Sequence, residues 1–180
     1  MTNYSRSFAM PNKETFEMLP VKEFIYRHIQ PGDVIVDPYA RSSKVGTITN
    51  DLNPDFNTDF NLEASEFLAQ MVANGSLADV VLFDPPYSPR QVKECYDSCG
   101  LKLHQETTQS SVYSSAKKLI RQILKPKGIV LTFCWNTGLI HKDYEFKEIH
   151  LVSHGGWHND TICTAQVSPV YLWEDESNKS

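Results

Sequence analysis

The residues Asp84-Pro85-Pro86-Tyr87 are the first place in this 180-residue chain where residue types and order suggest chemistry. They follow Asp79-Val-Val-Leu-Phe83, a β-branched apolar run of the kind that forms a fully buried parallel strand. Ligands of open α/β sheets bind outside the carboxyl ends of the strands, so the tetrapeptide stands where a site belongs. Two successive prolines restrict the backbone and remove two N–H donors, which leaves carbonyl acceptors beside the Asp84 carboxylate. Such a corner is a mould for an NH2 group. An exocyclic base nitrogen is a weak nucleophile because its lone pair is delocalised into the ring. Accepting its two hydrogens, at the Asp84 carboxylate and the Pro85 carbonyl, favours a pyramidal nitrogen whose lone pair points at a methyl donor. Tyr87 would stack on a base flipped out of its helix. The competing reading is an ordinary strand-to-loop turn with a helix-starting Asp and a core Tyr.

Three further acids fall at comparable places. Asp37 ends Val34-Ile-Val-Asp37 and is followed by Pro38-Tyr39-Ala40. A carboxylate there can accept from the ammonium of an amino-acid-bearing cofactor, and the small Ala40 lets backbone come close. Asp51, with Leu52 beside it, closes a second short apolar segment, where a carboxylate would grip a ribose diol. Asp59-Phe60 precedes a helix and offers a carboxylate and an apolar face to an adenine ring; the alternative for Asp59 is a charge at a helix N-terminus.

These residues need a frame, and the periodicity supplies one. Val21, Phe24, Ile25 and Ile29 recur at helical spacing before Pro31-Gly32 stops the pattern. A strand is expected over Asp33–Asp37, a second over Gly46–Asn50, a helix over Glu63–Val72 and a third strand over Asp79–Phe83. An irregular stretch should run from Ser88 to about Thr107, then a helix from Ser110 to Leu124, and a strand from Ile129 to Trp135 after the Lys125-Pro-Lys-Gly128 turn. Two strands, Glu145–Val152 and Thr161–Leu172, finish the pattern before a polar tail over 173–180. Strands alternating with helices and ending in a hairpin predict one α/β domain: an open, Rossmann-like, mostly parallel sheet with an antiparallel C-terminal edge.

The formal net charge of −5 argues against a broad basic surface, so any nucleic-acid contact must be local. Arg90 with Lys93, and the run Lys117, Lys118, Arg121, Lys125 and Lys127, are the basic candidates, the latter reading first as a solvated helix face. The polar N-terminus and short apolar runs predict a cytoplasmic protein. His150, His154 and His158 with Cys163 could suggest zinc, but His154-Gly-Gly-Trp-His158 is more economically a turn between edge strands, and no metal is expected. Trp135 and Trp157 could be base-stacking platforms, but for Trp135, at a strand end, core packing is the better reading. No G-x-G-x-x-G follows the first strand, which argues against a nicotinamide-dependent oxidoreductase.

Taken in order, acid-Pro-aromatic-Ala after one strand, an acid after the next, Asp-Phe after a third segment and DPPY after the fourth, the chain resembles the class I S-adenosylmethionine-dependent amino-methyltransferases. The adenine-N6 DNA methyltransferases are the nearest likeness, running from about Phe8 to Leu172. The resemblance implies S-adenosylmethionine as cofactor, with Asp37, Pro38, Tyr39 and Ala40 at its methionine moiety, Asp51 at the ribose, Asp59 and Phe60 at the adenine, and Asp84, Pro85, Pro86 and Tyr87 at the target amine. Residues 1–19 resemble the segment that lies over the methionine end, so Thr15 and Phe16 become contacts. In the family Ser commonly replaces the first residue for cytosine N4 and Asn for glutamine, so Asp84 resembles the adenine group. The chain departs from the pattern in two ways. Only Pro38 to Val45, eight residues, separate Asp37 from Gly46, where a helical crossover takes about ten to twelve, and the usual glycines are replaced by Ala40-Arg41-Ser42-Ser43. The crossover should therefore be a turn, with the Ser42 and Ser43 hydroxyls substituting for a helix N-terminus. No segment is long enough for a target-recognition domain, so DNA readout is expected from the stretch after Tyr87, a second copy in a homodimer, or a partner protein. Another acceptor, RNA adenine or cytosine N4, and a catalytically inactive binding subunit of the same fold are the competing functions.

Overall fold

The computed structural model describes residues 1–100, 109–156 and 158–170. Seven strands, β1 (Asn3–Phe8), β2 (Ile35–Asp37), β3 (Ile48–Thr49), β4 (Ala78–Phe83), β5 (Leu124–Cys134), β6 (Glu145–Ser153) and β7 (Thr161–Val167), form one sheet in the order β1-β6-β7-β5-β4-β2-β3. The pairs β2–β3, β2–β4, β4–β5 and β1–β6 are parallel, whereas β7 runs antiparallel to both β5 and β6. This is the expected open, mostly parallel sheet with its antiparallel hairpin. Among the described residues four α-helices complete it, α1 (Leu19–His28), α2 (Ala64–Ala73), α3 (Pro89–Ser98) and α4 (Gln109–Ile123), with one 3-10 turn at Thr15–Glu17.

Helix α1 buries Val21, Phe24 and Ile25, the stripe that the periodicity predicted, in a core layer with Ile35, Val80, Leu82, Leu131 and Phe133. Its last turn carries Arg27 and His28, and both bond to Glu148 of β6, at 2.7 and 3.0 Å. The other layer packs Phe67, Leu68 and Met71 of α2 and Ala116, Ile120 and Ile123 of α4 on Val36, Val81, Phe83 and Val130. Fully burying one such side chain contributes about 1.5–3 kcal/mol, so these two stripes tie both faces of the sheet around β4, the strand that ends at Asp84.

Three departures from the sequence expectations have local causes. Asn3–Phe8, expected to cover a cofactor, is an edge strand whose Ser5 and Ser7 hydroxyls bond the two ring nitrogens of His150, at 2.6 and 2.8 Å. Pro89–Ser98, expected to be irregular, is helical: Ser88 caps it reciprocally with Gln91, and Pro89 sits in its first turn. The Lys125–Gly128 turn is absorbed into β5 as an irregularity, with Lys127 at φ 62°. The crossover between β2 and β3 is a turn, as the eight-residue spacing requires, and beyond β3 only one further parallel bridge forms, Asn50 to Phe60. Residues 101–107 of the expected irregular stretch, Trp157, the end of the last expected strand at 171–172, and the tail at 173–180 lie outside the described residues. No described helix is long and apolar enough to cross a membrane.

Candidate functional site

Because β2 and β4 pair in parallel, with Val36 opposite Val81, their carboxyl ends lie side by side and bring Asp37 and Asp84 together. Asp37 is completely buried. One carboxylate oxygen accepts from the Tyr39 N–H at 3.2 Å, while Oδ2 is buried without a partner among the described residues. Burial first, and then the neighbouring charges of Asp84 and Asp51, push its carboxyl well above the usual range. An orphaned buried acceptor of this kind is costly. Gly46 packs on it so closely that a Cβ there would lie 2.9 Å from the Asp37 Cβ.

Asp84 is half-buried at the end of β4. Its Oδ1 accepts from the Tyr87 hydroxyl at 2.8 Å, and the Thr15 side chain also bonds to it. Burial raises its pKa to about 6, partly offset by those two hydrogen bonds and by the Arg41 charge. The loop is held from the far side by Gln91, whose side-chain carbonyl accepts from the N–H of Tyr87 at 2.7 Å and of Ser88 at 3.1 Å. The capping box that starts α3 thus also fixes the loop carrying Asp84. The Tyr87 ring leans on Trp135, centroids 5.9 Å apart.

A cleft lies over these groups, lined by Thr15, Phe16, Tyr39, Ala40, Arg41, Ser42, Ser43 and Asp84 together with Glu14 and Glu17. Its volume, about 20 Å³, is little more than one water needs. Within its lining, Glu14 bonds the Arg41 guanidinium at 3.1 Å and accepts from the Ser42 hydroxyl at 3.0 Å. Arg41 stands with φ 49°, its N–H donates to Asp51 at 3.0 Å, and its guanidinium lies over the Phe56 ring. Asp51 also accepts from the Asn53 N–H, so its carboxylate shapes the turn beside the cleft; burial raises its pKa.

The structure therefore brings Thr15, Ala40, Ser42, Ser43 and Asp84 to one cleft, with Asp37 and Asp51 joined to its lining through the N–H groups of Tyr39 and Arg41. Other residues singled out in the sequence go elsewhere. Phe16 lines the cleft but sinks its ring into the core against Phe133, 4.8 Å away. Tyr39 turns its ring onto Phe83, and its buried hydroxyl has no partner among the described residues. Asp59 accepts from both the N–H and the hydroxyl of Thr49 at 2.8 Å, which lowers its pKa and uses the carboxylate to finish the edge of β3. With Phe60 it lines a separate cavity of about 370 Å³ between β3 and α2, which shares no lining residue with the cleft.

His154 bonds to the Ala9 carbonyl and Thr161, and His150 to Ser5 and Ser7, so both rings serve local structure. Lys117 caps the Leu139 carbonyl and Lys125 pairs with Asp79, which takes two of the basic candidates into the fold. A cleft residue that escaped the sequence reading is Glu14, whose role needs the tertiary approach of Arg41. Trp135, for which the sequence favours core packing, is 44% exposed.

No family model matches the sequence, and no curated protein sequence matches it. Its fold does match solved structures. TrmN from Thermus thermophilus superposes with a TM-score of 0.53 at 13% identity, covering 84% of this chain and 49% of TrmN. SMU.776, assigned as a methyltransferase and crystallised with SAH, gives 0.55 at 10% identity over 82% of this chain and 48% of its own. SMU.1697c of Streptococcus mutans, also a methyltransferase by assignment and in complex with SAH, gives 0.50 at 10% identity over 81% and 93%. The chain spans about half the length of TrmN and SMU.776. Strand order, the antiparallel β7 and these superpositions together show that the chain has the class I methyltransferase fold.

Proposed function

We propose that the protein transfers a methyl group from S-adenosylmethionine to the exocyclic N6 amine of adenine in DNA, the base being flipped into the corner formed by Asp84, Pro85, Pro86 and Tyr87. The observation that carries this reading is Asp84: a half-buried carboxylate at the end of a central strand, lining the cleft and already held by two hydroxyl donors. A site that orients an acceptor so firmly is built to receive a donor.

The cofactor fits at one telling place, the Oδ2 of Asp37, which has no partner among the described residues and can accept an ammonium. Asp37 and Ala40 would hold the amino-acid end, Ser42 and Ser43 would offer hydroxyls, and Asp51 would face the ribose. When bound, S-adenosylmethionine supplies an electrophilic methyl group. Asp84 does the rest of the polar work. It accepts one hydrogen of the amine while the Pro85 carbonyl accepts the other, and it holds the proton that the nitrogen sheds once its new N–C bond has formed. A carboxyl whose pKa is about 6 suits that task, since it is mostly ionised before transfer and basic enough to take the proton.

Incubation with methyl-labelled S-adenosylmethionine and unmethylated duplex DNA, single-stranded DNA or RNA, followed by nucleoside analysis, tests the reading. N6-methyladenine from DNA supports it; label in cytosine N4 or only in RNA replaces the acceptor. One observation favours a second reading, a methyltransferase-fold binding subunit without turnover: the small cleft of about 20 Å³, with the Glu14–Arg41 ion pair in its lining. A partner protein or second copy would then complete the site and supply target recognition.

A further inference from the structure

Trp135 is the anomaly at the carboxyl end of the sheet. The five residues before it, Val130 to Cys134, are no more than 6% exposed, yet Trp135 is 44% exposed. Because Phe83 of β4 is in register with Thr132 of β5, the chain leaves β5 beside Asp84, and the indole lies 5.9 Å from the Tyr87 ring at an interplanar angle of 42°.

The exposure is built in by the loop that follows. Gly138 adopts φ 56°, and a Cβ there would come within 2.7 Å of the Thr132 Oγ1 and 2.8 Å of the Cys134 Sγ, so the turn is pressed onto the strand it leaves. Its N–H donates to the Asn136 side chain at 2.8 Å. The fully buried Gln166 clamps the turn on both sides, donating to the Gly138 carbonyl at 3.2 Å and accepting from the Ile140 N–H at 2.9 Å. Lys117 caps the Leu139 carbonyl at 2.8 Å. A loop tied at four points leaves the indole outside, although burying so large a ring would be favourable. Tyr87, the ring that the sequence assigned to stacking, is tethered at its far end by the hydroxyl bond to Asp84.

We propose that Trp135 is the stacking surface for the target base, with Tyr87 serving to hold Asp84 and to back the indole. The inference rests on the reading of Asp84 as the acceptor of the base amine. An indole suits any base because every base has a π-face, so Trp135 contributes affinity, and the choice of amine stays with Asp84.

The test uses the full chain and two variants, Trp135→Phe and Trp135→Leu, the second keeping apolar bulk without an aromatic face. Binding to a fluorescent single-stranded oligo-dA and to an abasic strand of equal length is measured by anisotropy, alongside quenching of indole emission. The inference expects Trp135→Leu to bind oligo-dA about 10- to 100-fold more weakly than wild type, Trp135→Phe to keep most of the affinity, the abasic strand to bind all three alike, and quenching to require Trp135. Equal loss on both strands, no loss in Trp135→Leu, or no wild-type binding to oligo-dA overturns it. Failure of label transfer while the base-dependent loss persists would remove the methylation reading and leave the stacking surface.

Discussion

The Tyr87 hydroxyl donates to Asp84 over 2.8 Å, within a tetrapeptide whose two prolines hold the residues in place. Thr15 reaches the same carboxylate from the N-terminal segment. Both bonds stabilise the ionised form against burial, which has raised the pKa to about 6. Removing either donor should raise it further. If Asp84 must be ionised to take the amine's hydrogens, kcat/KM rises through pH about 6 in the wild type. In Tyr87→Phe and Thr15→Val that limb moves to higher pH. A limb that stays in place in both variants would show that Asp84 does not control the rate.

The same carboxyl makes a prediction about folding. Its pKa is higher in the folded chain than in an unfolded one, so the native state binds the proton more tightly and ionisation works against it. The wild type should lose stability as pH rises from about 4 through about 6, with the Asp37 carboxyl, also raised by burial, adding to the loss. Asp84→Asn, uncharged throughout, escapes its share and should be more stable at pH 7 by about 1–3 kcal/mol, the hydrogen bonds to Thr15 and Tyr87 being partly kept. Denaturant titrations at pH 4 and pH 7 check this, and an Asp84→Asn chain no more stable at pH 7 would contradict it.

Glu14 lines the cleft and ties together two more of its lining residues, Arg41 and Ser42. The ion pair is substantially exposed, with side chains 32% and 46% accessible, so its loss should change stability by less than about 1 kcal/mol. Its effect should lie in access. Glu14→Ala is expected to speed S-adenosylmethionine association in stopped-flow measurements while leaving Tm almost unchanged. An unaltered association rate would show that the cofactor enters by another way.

Asp59→Ala separates the sequence expectation from the structure. A carboxylate that grips an adenine would cost cofactor affinity when removed, whereas one that finishes the edge of β3 would cost thermal stability. Because Asp59 accepts twice from Thr49, calorimetry should find S-adenosylmethionine binding within about twofold of wild type and a lower Tm. Lost affinity at unchanged Tm would restore the adenine contact.

What the sequence made legible is what depends on local pattern. The buried runs before Asp37 and Asp84 are strands, and the stripe of Val21, Phe24 and Ile25 is a helix face, because burial demands the same periodicity wherever the element sits. The Asp37–Gly46 spacing forecast the missing crossover helix. Helix α3 could also have been read, since Ser88-Pro89-Arg-Gln91 is a capping box with Pro in the first turn. Other features depend on distant partners. β1 is a strand because β6 offers it an edge and His150 receives its serines. Asp59 is held at the edge of β3 because Thr49 presents two donors, and Trp135 stays outside because Gln166, 31 residues later in sequence, holds the loop.

The central claim is that Asp84 receives the amine that is methylated. It is tested most directly by comparing wild type and Asp84→Ala with labelled S-adenosylmethionine and unmethylated DNA, with cofactor binding measured by calorimetry in the same preparations. The account predicts label in N6-methyladenine for the wild type, and none for an Asp84→Ala chain that still binds the cofactor. Cofactor binding by the wild type without label on any nucleic acid, or undiminished transfer by Asp84→Ala, would contradict it.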